Sequence, residues 1–256
     1  MSSKKPQNKP NAGATRREQL QLQKEQQAKE RKVRNIVTFS ILGVALLAIV
    51  GVIVAVVVSA GRTPVASGGG AVTGNYSVLA GQADAPVKVT IYQDFMCPFC
   101  GYFERANRDD LEALVDDGTI QIEFHVVNWQ DRQSQGTNFS SRSGNAFVAV
   151  AKAQPDKVMA FNATLFDNQP EEGTPGLSDA VIAQLARDVG VSNDVVATFA
   201  RMSNQSFIDN AASVAANSGI TGTPTILIDG KPIDKAMNIL EAGPLKDAIE
   251  QAAAGK

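Results

Sequence analysis

The hydrophobic pattern divides the chain into one long apolar stretch and a larger region in which apolar and polar residues alternate. The apolar stretch covers residues 36–58 and contains neither a charged side chain nor a proline. A helix of these 23 residues would reach roughly 35 Å, whereas a hydrocarbon core is about 30 Å thick. The pattern therefore predicts a single transmembrane helix. A soluble helix buried on all sides is the alternative, which an uncharged run of this length disfavours.

Beyond the apolar stretch, residues 59–75 are rich in Gly, Ser, Thr and Ala and predict a flexible linker. The remaining residues 76–256 are expected to form the folded domain. Three short runs in it predict β-strands, at residues 87–92, 120–127 and 225–228. A helix-compatible run over residues 98–115 separates the first two strands. This strand–helix–strand unit predicts a parallel pair of strands.

Helical spacing dominates the middle and the end of the domain. Apolar positions recur at intervals of three and four from about residue 139 to residue 217, which predicts several helices. Four residues fit helix ends, two as N-caps and two as C-terminal stops: Ser178, Ser192, Gly190 and Gly219. A further helix is expected over residues 241–254.

Charge is distributed unevenly along the chain. The formal net charge is −2, but residues 1–35 hold ten Lys/Arg and three Glu, a net charge of +7, which leaves −9 on residues 36–256. Because basic residues flank the cytoplasmic end of a membrane helix, we expect a basic cytoplasmic tail and an extracytoplasmic domain. Beside an apolar helix, the basic tail indicates a membrane surface and not a nucleic-acid partner. A cleaved signal peptide is the alternative, but its apolar part usually has only roughly 7–15 residues.

The two cysteines of the chain, Cys97 and Cys100, stand at the predicted junction of a strand and a helix. Pro98 suits the first helical position, where its missing N–H costs nothing. Cys97 then falls at the N-cap, where unpaired backbone N–H groups and the helix dipole favour its thiolate. Cys100 falls three residues later, close enough to form a disulfide after modest adjustment. The pattern predicts a redox-active pair with Cys97 as the nucleophile and Cys100 as the resolving thiol.

Two other uses of a cysteine pair fit the sequence less well. A zinc site needs about four ligands, whereas this chain offers two cysteines and one histidine, His125. A purely structural disulfide between residues three apart would restrict the unfolded chain only weakly. We therefore expect no metal and no cofactor other than the Cys97–Cys100 disulfide itself.

The sequence around the pair resembles the DsbA family of thioredoxin-fold proteins. The resemblance rests on residues 93–100, which read QDFMCPFC, and on residues 219–225, which read GITGTPT before a short strand. It covers about residues 76–254. It implies an α/β, thioredoxin-like fold with an inserted helical subdomain at about residues 139–217, preceded here by the transmembrane helix.

The resemblance also assigns a substrate site. It implies a cis Thr223–Pro224 peptide bond that faces Cys97, so that Thr223 and Pro224 contact the substrate chain. Phe99 is expected to add an apolar contact for unfolded chains. Its neighbours Phe95 and Met96 would extend this apolar collar or, alternatively, pack into the core.

Two positions depart from the family pattern. Phe99 stands where DsbA has a histidine that helps to stabilise the thiolate, and Ile91 stands where thioredoxin and DsbA carry a buried acid. The nearest carboxylate, Asp94, is expected to be a turn or capping residue and not a proton shuttle. We expect His125 to be structural and Trp129 to be part of the core or of a cleft wall.

Together these features predict a membrane-anchored enzyme that forms disulfides in exported proteins by dithiol–disulfide exchange at Cys97 and Cys100. The expected substrates are exported proteins with free thiols. The resemblance implies a quinone-linked membrane partner that re-oxidises the pair. Two alternatives remain: an exported disulfide reductase or isomerase of the same fold, and a non-catalytic tethered binding or chaperone module.

Overall fold

The structure is a computed structural model that describes residues 72–256. The predicted basic tail of residues 1–35, the predicted transmembrane helix of residues 36–58 and nearly all of the predicted linker lie outside the described residues. Among the helices of residues 72–256, none combines the length and the apolar composition that a membrane span requires.

The described region contains five strands, seven α-helices and three short 3-10 helices. The strands are β1 (Val78–Ala80), β2 (Val87–Gln93), β3 (Ile120–Val126), β4 (Thr225–Ile228) and β5 (Lys231–Pro232). The α-helices are α1 (Pro98–Asp116), α2 (Phe139–Ala153), α3 (Val158–Asp167), α4 (Asp179–Asp188), α5 (Asn193–Val196), α6 (Gln205–Asn217) and α7 (Pro244–Ala254). The 3-10 helices are Asp131–Gln133, Pro155–Lys157 and Phe199–Arg201.

The five strands form one sheet in the order β1–β3–β2–β4–β5. β2 and β3 are parallel, with Val87 opposite Ile120 and Gln93 opposite Val126, which confirms the predicted strand–helix–strand unit. β4 pairs antiparallel with the other side of β2. Every residue of β2 except Lys88 is buried, so both faces of this strand are covered. The chain that leaves β2 toward α1 therefore starts from the interior of the domain.

An aromatic cluster joins the sheet, the loop before α1 and the helices between β3 and β4. Phe95 of the loop packs against Phe147 of α2 and Phe166 of α3, with ring centroids 5.6 and 5.0 Å apart. Phe147 also packs edge-on against Phe124 of β3, at 5.8 Å. All four rings are buried. Because each aromatic side chain buries a large apolar area, this cluster holds the loop before α1 against the sheet and against helices α2 and α3.

Helices α2 to α6 lie between β3 and β4, and their ends follow the sequence signals. The hydroxyls of Ser178 and Ser192 each accept a hydrogen bond from the backbone N–H three residues later, at the starts of α4 and α5. Gly190 and Gly219 have φ values of +86° and +79° just beyond α4 and α6. This left-handed conformation commonly ends a helix. The predicted caps and stops are confirmed.

The last helix begins later than the sequence predicts. The expected start was residue 241, but α7 begins at Pro244. Gly243 has a φ of +101° and its N–H donates to the Asp110 carboxylate at 3.1 Å. The chain therefore turns at Gly243, and Pro244 takes the first helical position, where its fixed φ fits.

The loop before α4 packs closely on the start of α2. A Cβ atom added to Gly176 would lie 2.5–2.8 Å from atoms of Phe139, and Gly176 has a φ of +73°. We expect Gly176→Ala to lower the free energy of unfolding by about 2–4 kcal/mol, because it combines steric overlap with backbone strain.

Gly173→Ala is the matched control for this prediction. Gly173 lies in the same loop with a φ of +83°, but an added Cβ would have nothing within 4 Å. Its substitution should cost only the backbone strain, about 1–2 kcal/mol. Urea unfolding measures both variants, and equal destabilisation would contradict the role given to the contact with Phe139.

Candidate active site

The candidate site begins where the loop after β2 enters α1. Cys97 is the N-cap residue, with extended backbone angles, and Pro98 occupies the first helical position. The N–H groups of Cys100 and Gly101 donate to the Cys97 carbonyl at 3.0 and 3.3 Å. Cys97 is 4% exposed and Cys100 is fully buried, and both are free thiols. The two cysteines thus occupy the helix positions that the sequence predicts.

Four hydrogen bonds lower the pKa of Cys97 from its ordinary value of 9.0 to about 6. The largest contribution comes from the Cys100 thiol, and burial opposes it; the Thr223 side chain and the N–H groups of Cys100 and Phe99 contribute the rest. The Cys97 Sγ also lies 3.3 Å from the Thr223 carbonyl, to which the thiol form donates. Cys97 is therefore the sulfur that ionises first.

Cys100 has the opposite properties. Its burial raises the pKa of the Cys100 thiol well above the ordinary value, and the hydrogen bond to Cys97 and the charge of Cys97 raise it further. The two thiols at the start of α1 therefore have very different pKa values. The outer sulfur is a thiolate near neutral pH, whereas the inner one keeps its proton.

Asp94 fixes the loop that leads to Cys97. Its carboxylate is fully buried and accepts hydrogen bonds from the Met96 N–H at 2.9 Å, the Gln130 N–H at 2.9 Å and the Ser140 hydroxyl at 2.6 Å. Of the predicted turn or capping role, the bond from the Met96 N–H two residues later confirms the turn. Burial raises the pKa of Asp94 to about 7, the three hydrogen bonds oppose this, and the charge of Cys97 raises it slightly.

A cleft of about 540 Å³ opens beside Cys97. The residues that line it come from the start of α1, the loops after β3 and α3, and the loop before β4: Cys97, Pro98, Phe99, Trp129, Gln130, Arg132, Glu172, Thr221, Gly222 and Thr223. The Thr223–Pro224 peptide bond is cis, as the family resemblance implies. The structure therefore brings Cys97, Phe99 and Thr223 to one cleft, with Cys100 buried behind and Pro224 next in the chain.

The aromatic residues around the cysteines separate into two groups. Phe99 and Tyr102 are 58% and 54% exposed on the outer face of α1, with ring centroids 6.2 Å apart. Phe95 and Met96 are buried in the core, because the Phe95 ring packs in the aromatic cluster described above. Of the two uses considered for Phe95 and Met96, core packing is thus the correct one.

His125 and Trp129 follow their predicted roles. The His125 ring is buried and stacks on Tyr92 with centroids 4.6 Å apart, and its Nε2 lies 3.5 Å from the Glu123 carboxylate. His125 does not line the cleft at Cys97, which agrees with a structural role. Trp129 forms part of the cleft wall.

Gln169 is a residue at the site that the sequence analysis did not identify. Its side-chain Nε2 donates to the carbonyls of Phe95 and Cys97, at 3.0 and 2.8 Å. Gln169 follows α3 and is 72 residues from Cys97, so no local pattern links the two. Gly101 is the one feature of the sequence that could have indicated this contact, because a glycine inside a helix often marks a close approach by another group.

No metal site accompanies the cysteine pair in the described part of the chain. Within residues 72–256, no cluster of three or more His, Cys, Asp or Glu side chains is arranged to hold a metal ion. The redox-active group that the described residues offer is the cysteine pair.

Comparisons with known proteins identify related sequences. A family model described as thioredoxin matches residues 73–248. The serine/threonine-protein kinase PknE of Mycobacterium tuberculosis is 31% identical over 160 residues, which are 59% of this chain but only 28% of the kinase. Disulfide bond formation protein D of Bacillus subtilis is 25% identical over 201 residues, which cover 74% of this chain and 84% of that protein.

A solved structure extends the likeness to the fold. The crystal structure of reduced DsbA from Mycobacterium tuberculosis is 25% identical, superimposes with a TM-score of 0.56, and covers 70% of this chain and 98% of its own. The predicted α/β thioredoxin-like fold with inserted helices is confirmed. The chain belongs to the thioredoxin family and, within it, to the DsbA-like thiol–disulfide oxidoreductases.

Proposed function

We propose that this protein forms disulfides in exported proteins by dithiol–disulfide exchange at Cys97 and Cys100. The observation that carries the proposal is the difference in acidity between the two thiols at the start of α1. The pKa of Cys97 is lowered to about 6, whereas that of the buried Cys100 is raised. The acidic sulfur faces a cleft, and the other is enclosed.

The proposed reaction starts from the oxidised enzyme. A substrate thiolate attacks the Cys97 sulfur, the Cys97–Cys100 bond breaks, and Cys100 leaves as a thiolate that takes up a proton. The second substrate thiolate then attacks the substrate sulfur of the mixed disulfide, and Cys97 leaves as a thiolate. Two electrons pass from the substrate to the enzyme, so the substrate gains one disulfide and the enzyme becomes a dithiol.

The acidity of Cys97 favours this direction. A thiol of low pKa is a good leaving group, so the second step releases the product easily. Stabilising the Cys97 thiolate also stabilises the reduced enzyme, which makes its disulfide a stronger oxidant. Because Cys100 is buried and keeps its proton, it attacks the mixed disulfide slowly, so the second substrate thiolate completes the exchange before Cys100 expels the substrate unoxidised.

The cleft supplies the proposed contacts to the substrate. The Thr223 backbone beside Pro224 lies next to the Cys97 sulfur, where an extended chain can pair with it as an added strand. The exposed Phe99, which lines the same cleft, and its neighbour Tyr102 offer apolar surface. Substrates with an unfolded segment around a free thiol fit these contacts.

We also propose that the protein is anchored in the cell membrane by residues 36–58, with residues 1–35 in the cytoplasm and the catalytic domain outside. The uncharged apolar stretch and its basic flank support this topology. Export supplies substrates whose thiols can be oxidised stably. A C-terminal reporter that is active only outside the cytoplasm should give a signal, and its silence in an expressed fusion would contradict the proposed topology.

The reduced enzyme needs an electron acceptor to act again. By resemblance to the DsbA family, we propose a quinone-linked membrane oxidase as the partner that takes two electrons from the Cys97–Cys100 dithiol. A membrane anchor would keep the catalytic domain close to such a partner.

The nucleophile can be identified by trapping. In a Cys100→Ala variant the Cys97 thiolate can still attack the disulfide of an exported protein, which is the reverse of the second step, and one substrate sulfur leaves as a thiolate. Without Cys100 the enzyme cannot resolve this mixed disulfide, so we expect covalent adducts with exported proteins on non-reducing gels. The adducts should disappear with dithiothreitol. Cys97→Ala is the matched control, because it keeps only the buried thiol and should form none. Absence of adducts in Cys100→Ala would favour a tethered binding or chaperone module without turnover.

The reduction potential decides the direction of electron flow. The pKa of Cys97, about 6, lies between about 7 for thioredoxin and about 3.5 for DsbA, so we expect a potential between about −270 and about −120 mV. Phe99→His adds a ring N–H donor beside the thiolate and should move the potential upward, whereas Phe99→Leu should leave it near the wild-type value. A wild-type potential at or below about −270 mV would instead favour the reductase.

A further inference from the structure

The Gln169 side chain lies across the point where the loop after β2 becomes α1. Both of its amide protons are used there, because Nε2 donates to the Phe95 carbonyl at 3.0 Å and to the Cys97 carbonyl at 2.8 Å. These two carbonyls lie before and after the two-residue segment Met96–Cys97. Gln169 does not line the cleft beside Cys97. It contacts the backbone of the loop instead.

Gly101 shows that this approach is close. It is the fourth residue of α1 and is buried. A Cβ atom added at this position would overlap the Gln169 side-chain amide. Glycine is less favourable than alanine inside a helix, so a glycine here is explained by the space that Gln169 requires.

The position of Gln169 is fixed by the contact between α1 and α3. One turn after Gly101, the Arg105 guanidinium donates to the Phe166 carbonyl at 2.8 Å. One turn further, the Arg108 guanidinium binds the Asp167 carboxylate through two hydrogen bonds of 2.7 and 2.9 Å. The residues of α1 at i, i+4 and i+7 thus hold the end of α3, from which Gln169 extends.

We propose that Gln169 is a positioning residue for the Cys97 thiolate. Its two N–H groups hold the carbonyls before Met96 and after Cys97, and this fixes the Cys97 backbone so that its sulfur faces the first N–H groups of α1. The Cys97 carbonyl also accepts the N–H groups of Cys100 and Gly101, so the amide ties the loop and the helix start together. The inference rests on the proposed thiol chemistry of Cys97 and adds a residue that supports it through the backbone.

The test is the alkylation rate of Cys97 as a function of pH, measured on the reduced full-length protein in detergent. Gln169→Leu keeps the volume but loses both donors, so the thiolate should lose stabilisation and the titration midpoint should rise. At pH 6 the alkylation rate should fall about threefold, because the thiolate is the reacting form. The charged and titratable groups near the loop and the cleft are unchanged in this variant: Asp94, Cys100, Arg105, Arg132 and Glu172.

Gln135→Leu is the matched control. Gln135 is also a glutamine whose Nε2 donates to a backbone carbonyl of the loop after α3, that of Gly173, at 2.6 Å. It is exposed and does not touch the loop before α1. We expect the Cys97 titration midpoint of the Gln135→Leu variant to equal that of the wild type.

A second pair of variants tests the same contact without removing Gln169. Gly101→Ala should displace the amide and raise the Cys97 midpoint as Gln169→Leu does. In a Gln169→Ala background the added methyl group no longer overlaps an amide, and the Arg105 guanidinium, whose Nη1 lies 3.0 Å from the added Cβ, ends a flexible side chain that can move aside. Gly101→Ala should therefore cause no further shift. Such non-additivity is expected only when two residues act through one contact.

The outcomes separate this inference from the proposed function. A low wild-type midpoint that Gln169→Leu and Gly101→Ala both leave unchanged would overturn the role of Gln169, even if both variants lose thermal stability. A wild-type midpoint near 8.5, like that of a free thiol, would instead remove the basis of the proposed function.

Discussion

The chemistry proposed for this protein depends on a sulfur atom held at the first turn of α1. Cys97 is the N-cap residue, and the N–H groups of Phe99 and Cys100 at the start of α1 help to lower the pKa of its thiol. Cys100 lies three residues further, and its thiol is the largest cause of the lowered pKa of Cys97. The contact between the two thiols, the start of the helix at Cys97 and the burial of Cys100 together make one thiol acidic and leave the other protonated.

The inserted helices hold this feature in place. The loop before α1 is short, but three of its residues are bound by groups from the insertion. The Phe95 ring packs among aromatic rings of α2 and α3, the Asp94 carboxylate accepts the Ser140 hydroxyl at the start of α2, and the Cys97 carbonyl accepts the Gln169 amide. The insertion therefore supports the reactive sulfur from the interior and also contributes Glu172 to the cleft.

The features that the sequence predicts correctly are local. Pro98 beside Cys97 marks a helix start, the alternating runs mark the strands, and Ser178 marks an N-cap, because each signal involves residues a few positions apart. The features that it does not predict involve distant residues. No sequence pattern near Gln169 indicates a contact with Cys97. The sequence around Phe95 is equally compatible with a side chain that lines a cleft and with one that packs in the core. The start of α7 is a third case, because the turn at Gly243 depends on Asp110 of α1.

The most direct test of the stabilised thiolate compares the free energy of unfolding of the reduced and oxidised proteins at pH 5 and pH 8. The Cys97 thiol ionises near 9.0 when unfolded and near 6 when folded. The reduced protein should therefore gain stability as the pH rises above 6 and lose it as the pH falls through 6. Groups common to both forms largely cancel in the difference, which should change by about 2–3 kcal/mol in favour of the reduced form. A difference that stays constant between pH 5 and pH 8 would contradict the account.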